Sequence, residues 1–275
     1  MANTHPHSWA QLPWLGFDTE TTGVNPHRDR LVSAALVLRS EGASGSPDSD
    51  TITTWLADPG VDIPDTAAQI HGITTQYARS HGRPIEEVLD EVASALTAHM
   101  AQGYPVVAFN GSYDLTLLEE ELRRHSLPTL SDRLGTPEPA PIIDPLVLDR
   151  HLERFRKGKK QLSLMAAAYG VPVSENAHTA EYDVIMTLDV LAAIARKYPD
   201  CASKDCREIH AFQKDAHAAW AENFENFMRS KGRDTHISAS RPMVDDSSDV
   251  RASSSVFWGD WGVLAARSSC AAPSA

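Results

Sequence analysis

The sequence predicts an α/β domain built on a mixed sheet, and three observations carry the prediction. Three strand-like segments joined by short loops open the chain as a meander. Helical and strand-like patterns then alternate, the order that lays helices on the faces of a sheet. With 275 residues and 42% hydrophobic content, the chain can bury one large core.

Residues 1–12 read as a flexible lead-in. Trp14 to Asp18 is a short strand ending an apolar run, and Leu31 to Arg39 is a longer, mostly apolar one. Gly, Ser, Pro and Asp crowd residues 41–50 and mark a turn. Thr51 to Leu56 is β-rich with mixed polarity, as an outer antiparallel strand would be. Ile85, Val88, Leu89, Val92, Leu96 and Met100 then recur at spacings of three and four, an amphipathic helix starting at Pro84. Pro105 to Phe109 is a compact buried strand, followed by a helix with Leu115, Leu118 and Leu122 on one face. Pro141 to Asp144 is a last short strand, and helices are expected near 145–153, 162–169 and 180–197. These elements place the main domain at 13–200. A further apolar stripe (Ile209, Phe212, Ala216, Trp220, Phe224, Phe227) gives a helical extension over 201–232 that packs on the domain. Residues 233–275 are rich in Ser, Ala and Asp and read as a loosely ordered tail. The Phe257 to Trp261 cluster inside it is either a segment that docks on the body or a short partner-binding motif.

A net charge of −12 argues against a general nucleic-acid coat protein but allows a local basic groove. Cys201, Cys206 and Cys270 lack CxxC spacing, so neither a disulfide framework nor a zinc site is expected. The first residues show no basic and apolar leader pattern, and no apolar run reaches membrane-spanning length. A cytoplasmic location without a membrane partner is the expectation.

Asp18 and Glu20 stand two residues apart at the end of the first strand. Strand side chains alternate faces, so the two carboxylates point the same way and repel. A cation between them removes the repulsion, and hard divalent ions such as Mg²⁺ are the usual partner. Asp114 follows the buried strand in the first turn of the next helix. Taken alone it is a favourable first-turn charge, worth ~0.3–1 kcal/mol. His178 precedes the 180–197 helix, and Asp183 lies within it.

In order and spacing, Asp18-x-Glu20, Asn110-x-x-x-Asp114 and His178-x-Ala180-x-x-Asp183 resemble the DEDDh (DnaQ-like) family of 3′–5′ exonucleases. That group includes the proofreading epsilon subunit of bacterial DNA polymerase III. Ile70 to Thr74, Asp144 to Leu148 and Gln161 to Leu164 also resemble family segments, and the resemblance spans roughly residues 13–196. It implies an RNase H-like mixed five-stranded sheet flanked by helices. It also implies a site holding two divalent cations, Mg²⁺ or Mn²⁺, on Asp18, Glu20, Asp114 and Asp183, with His178 as the general base. Phosphodiester hydrolysis uses such a pair ~3.5–4 Å apart, one ion activating water and the other steadying the leaving oxygen. A histidine with an unperturbed pKa of about 6.5 suits the base role. Many relatives carry His before the Asn of the second motif, where this chain has Phe109.

For the substrate, the resemblance points to Thr21 and Thr22 beside the terminal nucleotide, with Ile70, His71 and Asn110 as further candidates. Turn polarity for Asn110 and core packing for Ile70 account for them equally well. Residues 150–160 carry six Lys and Arg against one Glu. Arg154, Arg156, Lys157, Lys159 and Lys160 thus form a candidate phosphate-contact patch. The expected partner is nucleic acid with a free 3′ end, single-stranded DNA first, with a polymerase or repair partner on the C-terminal extension. RNA or short oligoribonucleotides are the alternative substrate. A non-catalytic docking module is the alternative of another class.

Overall fold

The computed structural model describes residues 8–173, 179–232 and 237. The chain divides into a unit of residues 1–245 and one of residues 246–275, and the latter lies outside the described residues, as does the Phe257 to Trp261 cluster.

Strands β1 (Trp14–Thr21), β2 (Leu31–Arg39) and β3 (Thr51–Asp58) form the expected antiparallel meander. The two-residue β4 (Arg83–Pro84) adds an edge beside the end of β3. On the other side β5 (Val106–Val107) and β6 (Ile142–Ile143) run parallel to β1, giving the order β4-β3-β2-β1-β5-β6. The sheet thus has the five expected strands plus β4, and helices flank it.

β5 and β6 are shorter than the apolar runs that announce them, for local reasons. Asn110 takes a left-handed backbone, with φ 57°, soon after β5. Pro145 opens a helix directly after Asp144 and has no N–H to extend a ladder.

Helices α1 (Asp65–His71) and α2 (Thr75–His81) cross the outer meander. They are short and carry little apolar periodicity, so sequence pattern did not announce them. One face of the sheet packs on α3 (Ile85–Met100), α4 (Ser112–Arg124) and α5 (Leu130–Leu134), through Leu15 and Phe17 of β1. The other face packs on α6 (Pro145–Leu152), α7 (Leu162–Ala168), α8 (Ala180–Lys197), α9 (Pro199–Ala202) and α10 (Cys206–Ser230). Trp14 belongs to that second core. The period-2 alternation of β1 therefore assigns residues 14, 16, 18 and 20 to the α8 side and 15, 17 and 19 to the α4 side.

The lead-in expected over residues 1–12 requires a correction at its end. Trp9 is fully buried, its indole donates to the Cys201 carbonyl at 2.9 Å, and its ring stacks on Trp14 at 5.6 Å. Local pattern reading missed this because Trp9's partner lies 192 positions away. Among the described residues no helix is long and apolar enough to cross a membrane.

Candidate active site

β1 carries Asp18 and Glu20 opposite Ala35 and Ser33 of β2, and a bulge follows between Glu20 and Thr21. Both carboxylates lie on the α8 side. A glycine lets α8 come close there: a Cβ placed on Gly16 would stand 2.3 Å from Val184 Cγ1 and 3.2 Å from Leu188 Cγ. Asp183 is the neighbour of Val184, so the same close approach brings its carboxylate to the acid pair. Farther along α8, Asp189 binds buried Arg39 at the end of β2 at 2.7 Å and ties the helix to the sheet a second time.

Asp114 arrives from the opposite layer. It is the third residue of α4. β1 runs on beyond its pairing with β5, which ends at Gly16–Val107. Past that end Asp114 Oδ1 accepts hydrogen bonds from Thr19 N at 3.2 Å and Thr19 Oγ1 at 2.6 Å. Thr19 points to the α4 side, as the alternation requires. The four predicted acids thus come together from β1, α4 and α8. His178 lies outside the described residues, immediately before Thr179, which precedes α8.

The electrostatics show how crowded these acids are. Burial, with Asp114, Glu20 and Asp183 beside it, holds Asp18 well above the usual carboxylate range. Burial and the charges of Asp183, Asp114 and Glu181 push Glu20 up to about 8. Asp114 is pushed up to about 7, burial outweighing the Thr19 hydrogen bonds that pull it down. Buried anions of one sign are costly unless a cation or protons neutralise them. Among the described residues, however, no three acidic, histidine or cysteine side chains already close around one point as a metal cage. The two observations are compatible, because Asp114 is turned onto Thr19. The donor set is all oxygen and strongly anionic, which fits hard divalent cations and not soft ones.

The candidate nucleotide contacts are placed less uniformly. Thr21 and Thr22 are buried and their hydroxyls are engaged within the loop. Thr21 Oγ1 donates to Gly23 O at 2.6 Å and pairs with the Tyr113 hydroxyl at 2.7 Å. Thr22 Oγ1 accepts from Arg30 N at 3.0 Å. Both hydroxyls are thus used within the fold after β1. Ile70 is exposed at the end of α1. The half-buried His71 ring accepts from Ile73 N through Nδ1 at 3.1 Å and faces the Thr21 backbone, and burial holds its pKa down. Ile70 and His71 therefore sit beside the acid-bearing end of β1. Asn110 caps β5, its N–H bonded to Asp144 Oδ1 at 3.1 Å.

The basic segment behaves differently from a uniform patch. Arg156 and Lys160 both bind the fully buried Asp149, at 2.7 and 2.6 Å, and Tyr169 donates to the same carboxylate. Their charge is consumed inside the protein. Arg154, Lys157 and Lys159 remain exposed, with Phe155 at 88% exposure and the Arg154 guanidinium over its ring. Glu153, at the start of the segment, pairs with Lys197 at the far end of α8. Lys197 is 14 residues beyond Asp183, roughly 21 Å along a helix. The segment therefore begins beside the end of α8 that lies away from Asp183. Sequence reading missed the pairing because nothing local reveals that Asp149 is buried.

Two contributors to the site carried weaker sequence signals. Glu181 adds a fifth nearby charge, visible only as an acid in the first turn of α8. Asp144 stands behind the Asn110–Gly111 turn, visible as the Asp before a helix-opening Pro.

Comparison with known proteins places the chain in a family. Residues 15–191 match a family model described as Exonuclease (RNase_T). A PolC-type DNA polymerase III from Streptococcus thermophilus is 28% identical over 179 residues, 64% of this chain and 11% of that protein. The counterpart from Lacticaseibacillus paracasei is 27% identical over 192 residues, 70% of this chain and 12% of the relative. The chain spans about a ninth of the length of these curated relatives. Among solved structures, the zinc-bound form of an E. coli ExoI–ssDNA complex aligns with a TM-score of 0.58 at 19% identity, covering 76% of this chain and 43% of that one. E. coli exonuclease I with a dT13 oligonucleotide aligns with a TM-score of 0.56 at 20% identity, covering 69% and 42%. At such identities the likeness concerns the fold.

Proposed function

We propose that this chain, which belongs to the exonuclease family, removes nucleoside 5′-monophosphates from the 3′ end of single-stranded DNA with two divalent cations, Mg²⁺ or Mn²⁺. The observation that supports this most is the convergence of Asp18, Glu20, Asp114 and Asp183 from three elements, each raising the charge burden on the others. Bound cations supply charge neutralisation, an activated water and stabilisation of the leaving 3′ oxygen. The protein's part is to hold four carboxylates close together, Asp114 buried and the other three partly open to solvent. Asp18, Glu20, Asp114 and Asp183 would hold the cations, with Asp18 beside the other three, Glu20 and Asp183 presented from the α8 side and Asp114 from the α4 side. The backbone after β1, with Ile70 beside it, receives the terminal nucleotide.

His178 is the proton acceptor in this reading, on the strength of its place before α8 and the resemblance of its motif. Replacing it with Ala should lower turnover by about 10²–10⁴-fold, the usual weight of a general base. The same variant should keep the rise in melting temperature that Mn²⁺ gives the wild type. Unchanged turnover would move the base role elsewhere.

The exposed cations Arg154, Lys157 and Lys159 are proposed to hold the strand's upstream phosphates, with Phe155 offering a stacking face. Changing these three to Gln should raise KM and flatten its salt dependence, with kcat little altered. Arg156→Ala with Lys160→Ala should do something else: destabilise by about 3–5 kcal/mol by leaving Asp149 without its ion pairs. Equal effects of the two sets on KM would return the whole segment to a single patch. A polymerase or repair partner and a cytoplasmic setting remain part of the proposal. Similarity to PolC-type polymerases favours the former.

A further inference from the structure

β6 is the outer edge of the sheet, where backbone groups lack a strand partner. Helix α10 takes that place with side chains. Gln213 is fully buried and donates through Nε2 to Ile142 O at 3.0 Å and to Ile209 O at 3.2 Å. Its Oε1 accepts from Asp144 N at 2.7 Å. One amide thus serves the backbone on both sides of Ile143, as a neighbouring strand would. His210 Nδ1 accepts from Ile142 N at 3.3 Å and completes the edge.

The residue pinned in this way is itself a clamp. Asp144 is 2% exposed. Its Oδ1 accepts from Asn110 N at 3.1 Å and Leu146 N at 2.8 Å, and its Oδ2 from Gly111 N at 3.1 Å. The Asn110–Gly111 turn needs such a clamp, because Asn110 is held at φ 57°, a conformation that costs a non-glycine residue energy. Gly111 O in turn accepts from Leu115 N at 3.0 Å and starts α4, which carries Asp114. The hydrogen-bonded path runs from α10 through Asp144 and the turn to the helix bearing the acid.

Resting on the exonuclease reading, we propose that Gln213 is a positioning residue for the metal ligand Asp114, so that α10 is a working part of the catalytic domain. The residue type fits the task. A primary amide accepts from Asp144 N–H through its oxygen and donates to Ile142 and Ile209 C=O through its nitrogen, without adding charge beside a buried carboxylate. The distances that matter are short and buried, where one lost partner leaves its mate unsatisfied. A leucine at 213 keeps the volume and removes every one of these bonds.

The test measures Mn²⁺ binding by the metal-free protein in calorimetry, beside steady-state kinetics on a single-stranded oligonucleotide. Gln213→Leu should bind Mn²⁺ about 10-fold more weakly, the scale of losing a group that orients a ligand. Its kcat should fall with KM for the oligonucleotide near wild type, and excess Mn²⁺ should restore part of kcat. Combined with Asp114→Asn, it should weaken Mn²⁺ binding no further than Asp114→Asn alone. Leu96→Ala in the α3 core provides a control of comparable instability that should leave Mn²⁺ affinity unchanged. Gln213→Glu keeps the acceptor for Asp144 N–H but sets a carboxylate against the Ile142 and Ile209 carbonyls, so it too should bind Mn²⁺ more weakly, which preserves the test if the leucine variant folds poorly. Wild-type Mn²⁺ affinity in either folded Gln213 variant would overturn the proposal and leave α10 a packing element. A wild-type protein that binds no Mn²⁺ would overturn the exonuclease reading itself, and this proposal with it.

Discussion

Asp18→Asn should silence the nuclease and stabilise the metal-free protein at the same time. The activity loss should be on the order of 10³-fold or more, as for the removal of an essential catalytic group. The stability gain follows from the sign of the pKa shifts. Asp18, Glu20 and Asp114 are all raised in the folded protein. Their contribution to stability is fully present below the unfolded-state carboxylate values near 4 and is lost as pH climbs through about 7 for Asp114 and about 8 for Glu20. Metal-free wild type should therefore melt lower at pH 8 than at pH 5 through these groups. Removing the Asp18 charge relieves its neighbours, so the variant should melt higher than wild type at pH 8 and about equally at pH 5. About 1 kcal/mol moves a protein of this size by roughly 2–4 °C, which thermal scans resolve. Mn²⁺ should raise the wild-type melting temperature most at pH 8 and should raise that of the variant far less. A variant that melts lower at pH 8 would mean the acid cluster is not under the repulsion described.

Gly16→Ala should be nearly as damaging without touching a metal ligand. The added Cβ would meet Val184 Cγ1 at 2.3 Å and Leu188 Cγ at 3.2 Å, so these side chains, or the helix that carries them, must shift away from β1. Overpacking of this kind costs about 1–3 kcal/mol. The larger effect should be on chemistry: α8 is expected to yield with Val184 and carry Asp183 along, and a displacement near 1 Å can cost about 100-fold in rate. Mn²⁺ affinity should fall with it. Wild-type kcat in a folded Gly16→Ala protein would show that the approach of α8 to β1 does not set the position of Asp183.

The acids were legible in the sequence because each is announced by a local signal. Asp18 and Glu20 follow strand alternation, Asp114 sits at a strand-to-helix turn, and Asp183 rides the register of a long apolar helix. The meander and the main helices were legible for the same reason, since period 2 and period 3.6 are local patterns. What escaped is long-range pairing of polar groups. The bond from Gln213 to Asp144 spans 69 positions, and no periodicity in α10 distinguishes Gln213 from its polar neighbours. Arg156 and Lys160 read as phosphate contacts because their anion, Asp149, looks like any surface acid at the end of α6. Trp9 looked like lead-in because its partners, Cys201 and Lys204, come near the other end of the domain.

Whether a carboxylate-held divalent site trims 3′ ends is decided by one gel experiment. Single-stranded DNA and RNA, labelled at the 3′ or the 5′ end, are incubated with Mg²⁺ or Mn²⁺, with chelator, and with the Asp18→Asn variant. Labelled mononucleotide should be released at once from 3′-labelled DNA. The 5′-labelled DNA should give a ladder shortening one nucleotide at a time, with no cleavage in chelator or by the variant. Faster trimming of RNA than DNA would correct the substrate and keep the site. Cleavage that persists in chelator and in Asp18→Asn, or that releases the 5′ label first, would contradict it.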